Sequence, residues 1–158
     1  TASGALFMLV GILYDRRHTR RISDFGGLRK SMPMYAAIFL FTSFASIGLP
    51  GLNGFVGEFM ILMGSYPTFK VLTSVAAFGV VLAAIYMLWA YQRMFNGQLD
   101  NDENSVLKDL SSKELVAVGP LLVLMLFIGI YPSFIESYVV QDVSVIYESI
   151  NNLIGVSQ

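Results

Sequence analysis

The stretch from Met32 to Tyr66 contains one charged side chain, Glu58. An apolar run of that length belongs in a membrane or deep in a core, and a carboxylate at membrane depth costs about 2.5–3.5 kcal/mol on insertion scales. Such a residue faces a polar cavity or a partner, which makes ion or proton handling the first expectation. Glu58 lies a few residues past Gly48-Leu49-Pro50-Gly51-Leu52-Asn53-Gly54. Three glycines and a proline within seven residues break a helix.

The remaining composition agrees with a membrane chain. The 158 residues are 55% hydrophobic and 13% charged, about half the charged fraction of a soluble domain. The mean hydropathy is +0.64. A net charge of −1 leaves no broad basic surface, so nucleic acid is excluded as a partner. The chain has no cysteine, which rules out disulfides, thiolate zinc sites and iron–sulfur ligation by its own residues. The expected fold is an all-α membrane protein, a multi-helix transmembrane bundle with one discontinuous helix.

Four spans are expected: about 1–14, 33–65, 71–92 and 115–131. The first apolar run, Ala2 to Tyr14, has 13 residues where a crossing needs about 20. Its arginines follow it, whereas a signal peptide places its positive residues first. It is therefore expected to be the end of a spanning helix, and the chain the C-terminal part of a longer protein. The second run is too long for one straight crossing: 33 residues of helix span ~50 Å against a hydrocarbon core of ~30 Å. It is either one crossing by a broken helix or a hairpin of two.

Charge distribution favours the single crossing. That topology puts loops 15–32 and 93–114 on one side with nine of the ten Lys and Arg residues, and leaves Lys70 opposite. A hairpin would divide them seven to three. Basic residues accumulate in cytoplasmic loops. Both loops are thus expected to be cytoplasmic, with the C-terminus on the other side. The acidic residues Asp100, Asp102, Glu103 and Asp109 of the second loop lack the pattern of a calcium loop and read as a solvated connection. The tail over 137–154 carries Val139, Val143, Ile146, Ile150 and Leu153 on one helical stripe, expected to pack on protein or at the interface.

A broken membrane helix frees backbone N–H and C=O groups, which must be buried in protein or line a watered cavity. Transporters place such breaks near mid-membrane to hold ions. Glu58, about one turn into the second half-helix, is the candidate proton relay; Gly48, Pro50, Gly51 and Gly54 form the candidate break. The plainer alternative is a structural Glu58 tied to the freed backbone or to a lysine elsewhere. His18, with no second histidine and no cysteine, reads as a loop or interface contact rather than a metal ligand.

Several stretches together resemble a known family. They are Gly4-Ala5-Leu6-Phe7 through Leu13-Tyr14-Asp15-Arg16, His18-Thr19-Arg20, Phe25-Gly26-Gly27-Leu28, Ser46-Ile47-Gly48-Leu49-Pro50-Gly51 and Gly54-Phe55-Val56-Gly57-Glu58-Phe59. The chain resembles the antiporter-like subunits of proton-translocating NADH-quinone oxidoreductase (respiratory complex I), in particular the subunit M type, counterpart of mitochondrial subunit 4. The resemblance implies a bundle of inverted five-helix repeats and a buried chain of Lys, Glu and His residues that moves a proton. Glu58 would stand at its exit end, and Tyr14, Arg16, His18, Thr19 and Arg20 would form a cytoplasmic loop motif. It further implies neighbouring antiporter-like subunits as partners within the lipid bilayer of a bacterial plasma membrane or organelle inner membrane. No cofactor is expected on this chain: NADH, FMN, iron–sulfur clusters and quinone would belong to other subunits. Related subunits occur in multisubunit cation/proton antiporters and membrane-bound hydrogenases, which are the alternatives, together with a purely structural membrane subunit.

Overall fold

The computed structural model describes residues 1–99, 101–135, 137, 138 and 143, so the expected amphipathic tail, apart from 137, 138 and 143, lies outside the described residues. Those described are helical and contain no strand. The long elements are α1 (Ala2–Arg17), α3 (Pro33–Ser46), α4 (Asn53–Ser65), α5 (Lys70–Phe95) and α7 (Ser112–Ile130). Short helices α2 (Leu28–Ser31) and α6 (Asp102–Ser105) and a 3-10 turn, Ile22–Asp24, sit in the connections. Helices α5 and α7 are long and apolar enough to cross a membrane by themselves.

Local chemistry sets the ends. Helix α1 runs past Tyr14 through both arginines and stops where His18 adopts a left-handed conformation, φ 53°, with its N–H on the Tyr14 carbonyl at 2.7 Å. Helix α7 begins at Ser112, ahead of its apolar run, because Ser111 and Glu114 form a reciprocal capping box. Helix α5 continues beyond Gln92 because Met94 and Phe95 are buried. Its apolar residues Val75, Phe78, Leu82 and Ile85 are exposed, as on a helix that faces lipid or other helices.

Between α3 and α4 the chain makes two tight reversals. Gly48 takes φ +74°, and the Leu49 N–H reaches back to the Phe44 carbonyl at 3.0 Å. That six-to-one closure with a left-handed glycine is a Schellman-type helix end. The Leu52 N–H then bonds the Leu49 carbonyl at 3.1 Å, with Pro50 second and Gly51, φ +91°, third in the turn. A type II turn asks for this proline and this glycine.

The main core lies at the end of the bundle where loops 15–32 and 93–114 meet. Phe95 stacks on Tyr91 at 4.6 Å and on Tyr35 at 5.8 Å between ring centroids, with Phe39 5.0 Å away. The buried Tyr35 hydroxyl donates to the Leu9 carbonyl at 2.8 Å, so its polar atom is satisfied. A second cluster, Ala2, Ala5, Ala45, Leu52 and Met125, packs around the interruption.

The second loop is not merely solvated. The Asp109 carboxylate accepts from the backbone N–H of Met34 at 2.8 Å and of Tyr35 at 2.9 Å, capping α3 from far along the chain. Met32, the residue in the cap position, makes no side-chain cap of its own. Arg16 bonds Glu114 at 2.7 Å and Arg17 pairs with Glu103. Sequence pattern could not show these contacts, since each partner lies more than seventy residues from its mate.

Candidate functional site

Glu58 stands on the second turn of α4, and its side chain points back at the interruption. A β-carbon built on Gly48 would overlap Oε2 of Glu58 and lie 3.2 Å from Cδ. The carboxylate thus occupies the space that the missing Gly48 side chain leaves. It is half-buried, and among the described residues it has no hydrogen-bond or salt-bridge partner.

Other close approaches fix the surroundings. A β-carbon on Gly54 would collide with the Ala45 carbonyl oxygen, so the first turn of α4 rests on the last turn of α3. One on Gly129 of α7 would collide with the Gly51 carbonyl and the Leu52 Cα. Helix α7 therefore backs the turn at contact distance. Asn53 Nδ2 donates to Thr1 Oγ1 at 2.8 Å, which brings the start of α1 to the same place. The sequence reading missed Gly129; a glycine on a spanning helix was its only signal.

The structure brings Glu58 together with Gly48 and Gly54, while Pro50 and Gly51 form the turn beside them. It does not bring Glu58 to the loop motif. Tyr14, Arg16, His18, Thr19 and Arg20 lie at the opposite end of α3, whose 14 residues put ~21 Å between them and the turn. There Arg20 stacks over the Tyr14 ring at 4.8 Å, and Tyr14 meets His18 edge-on at 6.0 Å. Thr19 Oγ1 donates to Asp24 Oδ2 at 2.6 Å, and Asn104 Nδ2 to the Asp24 carbonyl at 3.1 Å. The Thr19 hydrogen bond holds the Asp24 carboxyl below the usual carboxylate range. Among the described residues no group of three His, Cys, Asp or Glu side chains could hold a metal ion.

A half-buried carboxylate seated on a glycine, with no ion pair among the described residues, leaves its oxygens open to a further polar partner. The family described as NADH:quinone oxidoreductase/Mrp antiporter, TM, matches residues 1–86, more than half of the chain. The chain belongs to that family. Both the candidate carboxylate and its glycine seat fall inside the matched span. An antiporter-family relative, NADH-quinone oxidoreductase subunit M of Rhodobacter capsulatus, is 45% identical over 140 residues, covering 87% of this chain and 27% of that protein. NADH-ubiquinone oxidoreductase chain 4 of Arabidopsis thaliana is 41% identical over 130 residues, covering 82% and 26%. The solved respiratory complex I from Thermus thermophilus with bound NADH contains a chain similar in fold, with TM-score 0.76 and 36% identity, covering 84% of this chain and 28% of that one. The chain spans about a quarter of the length of these relatives. It is accordingly an integral membrane chain of the antiporter-like family, helical and without strands over its described residues.

Proposed function

We propose that this chain is part of a membrane subunit of NADH:quinone oxidoreductase that carries protons across the membrane, with Glu58 as a proton carrier. The observation that carries the reading is the Glu58 carboxylate seated on Gly48 at the interruption, with no partner among the described residues. A structural role would call for a carboxylate tied to the freed backbone or to a cation. A carrier needs an oxygen that gains a proton, as carboxylate becomes carboxylic acid, and then gives it up. The names of the relatives support complex I as the setting. In that setting the partners are the other membrane subunits, and NADH, FMN, iron–sulfur clusters and quinone are held elsewhere. The chain lacks the cysteines that a cluster requires.

The reading includes one crossing by residues 33–65, interrupted at 47–52. Its support is the meeting of four helix ends. The ends of α1 and α5 and the starts of α3 and α7 are joined by Arg16–Glu114, by Asp109 on the α3 amides and by the Gly27 N–H on the Asn96 carbonyl at 3.2 Å. A hairpin at 33–65 would carry the end of α5 to the opposite face. The basic residues at this end make it the cytoplasmic side, and the C-terminus then lies on the other. The interruption, ~21 Å along α3, falls within a hydrocarbon core of ~30 Å.

The test is proton pumping and NADH:quinone turnover, measured side by side in membranes that carry Glu58→Gln in the full-length subunit. Assembly is checked first. Glutamine keeps the size and loses the exchangeable acid proton, so pumping should fall with assembly intact, and turnover with it where coupling is tight. Pumping and turnover at wild-type rates would make Glu58 structural.

A further inference from the structure

Helices α3 and α5 leave a groove of about 510 Å³ between them, at the end where the basic loops lie. Its α3 wall is Pro33, Ala36, Ala37 and Leu40, a helical stripe whose two alanines leave the room. Leu88 and Tyr91 of α5 form the other wall. The stripe runs ~10 Å along the helix axis, about half the length of an extended phospholipid chain. Arg29, Gln92 and Asn96 rim the groove. Arg29 is exposed, and among the described residues it has no acidic partner; no acid lines the groove.

We propose that this groove binds an anionic phospholipid, with part of one acyl chain on the Ala36–Ala37 floor and the headgroup phosphate on Arg29. An apolar slot closed by a cation matches an amphiphile with a negative head. The guanidinium presents a planar fork that suits phosphate oxygens two at a time, and the amides of Gln92 and Asn96 add neutral donors. The level is right as well. Arg93 stacks on Trp89 at 4.7 Å on the same stretch of α5, and tryptophan concentrates at the headgroup boundary. Lys30 and Arg93 raise the local positive field, and each basic residue near an anionic surface contributes roughly a fivefold preference. Glu58 takes no part in this binding, so the lipid site and the proton path stand or fall separately.

The assembled complex with the full-length subunit is reconstituted into phosphatidylcholine vesicles that carry a trace of photoreactive lipid. One preparation has phosphatidylglycerol with a diazirine in its acyl chain, the other phosphatidylcholine with the same chain. After illumination, peptides 33–40 and 88–92 are examined for label. Phosphatidylglycerol should label them at least about fivefold more than phosphatidylcholine. Arg29→Gln should cut the preference about fivefold, Arg29→Lys should keep most of it, and Ala37→Phe should remove label by filling the slot. Equal labelling by both probes in the unsubstituted complex would overturn the proposal. So would the absence of label, which would mean that another helix fills the groove, or a preference that Arg29→Gln leaves unchanged. The comparison of probes in the unsubstituted complex decides the matter even if a variant fails to assemble.

Discussion

Glu58 folds back ten residues along the chain to rest its carboxylate on Gly48, which closes the helix before it. The residue that ends α3 is therefore also the floor of the candidate proton site. Helix termination and carboxylate placement depend on the same absent side chain.

Two substitutions at Gly48 separate those roles. Gly48→Ala adds left-handed strain of about 1–2 kcal/mol and an atom where Oε2 lies. Gly48→Asn adds the same β-carbon, but asparagine tolerates positive φ. Alanine should lower the thermal midpoint of the assembled complex more than asparagine, while proton pumping falls in both. Wild-type pumping with asparagine at position 48 would show that the seat is dispensable.

Asp109 is the cap that α3 lacks in its own sequence. Asp109→Ala would leave the Met34 and Tyr35 N–H groups without this acceptor and remove a negative charge from the positive end of the helix. Loss of such a cap costs about 1–2 kcal/mol. Asp109→Asn retains one acceptor oxygen and should lose less. Limited proteolysis at Lys108 reads the effect: cleavage should be fastest in the alanine variant and intermediate in the asparagine variant. Equal rates in all three would show that the loop is not held by this contact.

What the sequence made legible, and what it hid, follows from the range of the interactions. The glycine–proline interruption was readable because its chemistry is local: Gly48, Pro50 and Gly51 each have an intrinsic backbone preference. Glu58 stood out because a lone charge in an apolar run is costly to place in a membrane. The direction of its side chain was not, since that depends on how α4 leaves the turn. Asp109 and Glu103 looked like solvated loop charges because their partners lie in the first quarter of the chain. The bounds of the helices shifted for two reasons, a local capping box at Ser111 and the burial of Phe95 against Tyr35 and Phe39 of α3.

Gly129 backs the turn from α7 so closely that a β-carbon would meet the Gly51 carbonyl and Leu52 backbone. Backbone cannot yield as a flexible side chain can. Gly129→Ala should therefore displace the turn or α7, with an overpacking penalty of about 1–3 kcal/mol. Gly119, on the same helix, has nothing near its β-position, and Gly119→Ala should leave stability and pumping unchanged. Thermal midpoints of the two variants in the assembled complex make the comparison. A Gly129→Ala complex as stable as the Gly119→Ala complex would mean that the turn has more room than this packing allows.

Acid should loosen the loop at Asp24 before it disturbs the helices. Thr19 donates to the carboxylate at 2.6 Å and Ser23 at 3.2 Å, and the Thr19 bond in particular lowers its pKa in the folded protein. A depressed folded pKa stabilises the loop above the unfolded value of about 3.9, and that contribution is lost as pH falls through the lower, folded value. Amide exchange of Asp24 and Phe25, whose N–H groups close the turn on the Arg21 and Ile22 carbonyls, follows the change. Once corrected for intrinsic rates, protection should hold from neutrality to about pH 4 and then decline. Thr19→Val removes the donor and moves the carboxyl toward its ordinary value, so protection should start lower and change less with pH. Protection that stayed constant below the unfolded pKa in the unsubstituted protein would show that the Thr19–Asp24 bond does not hold this turn.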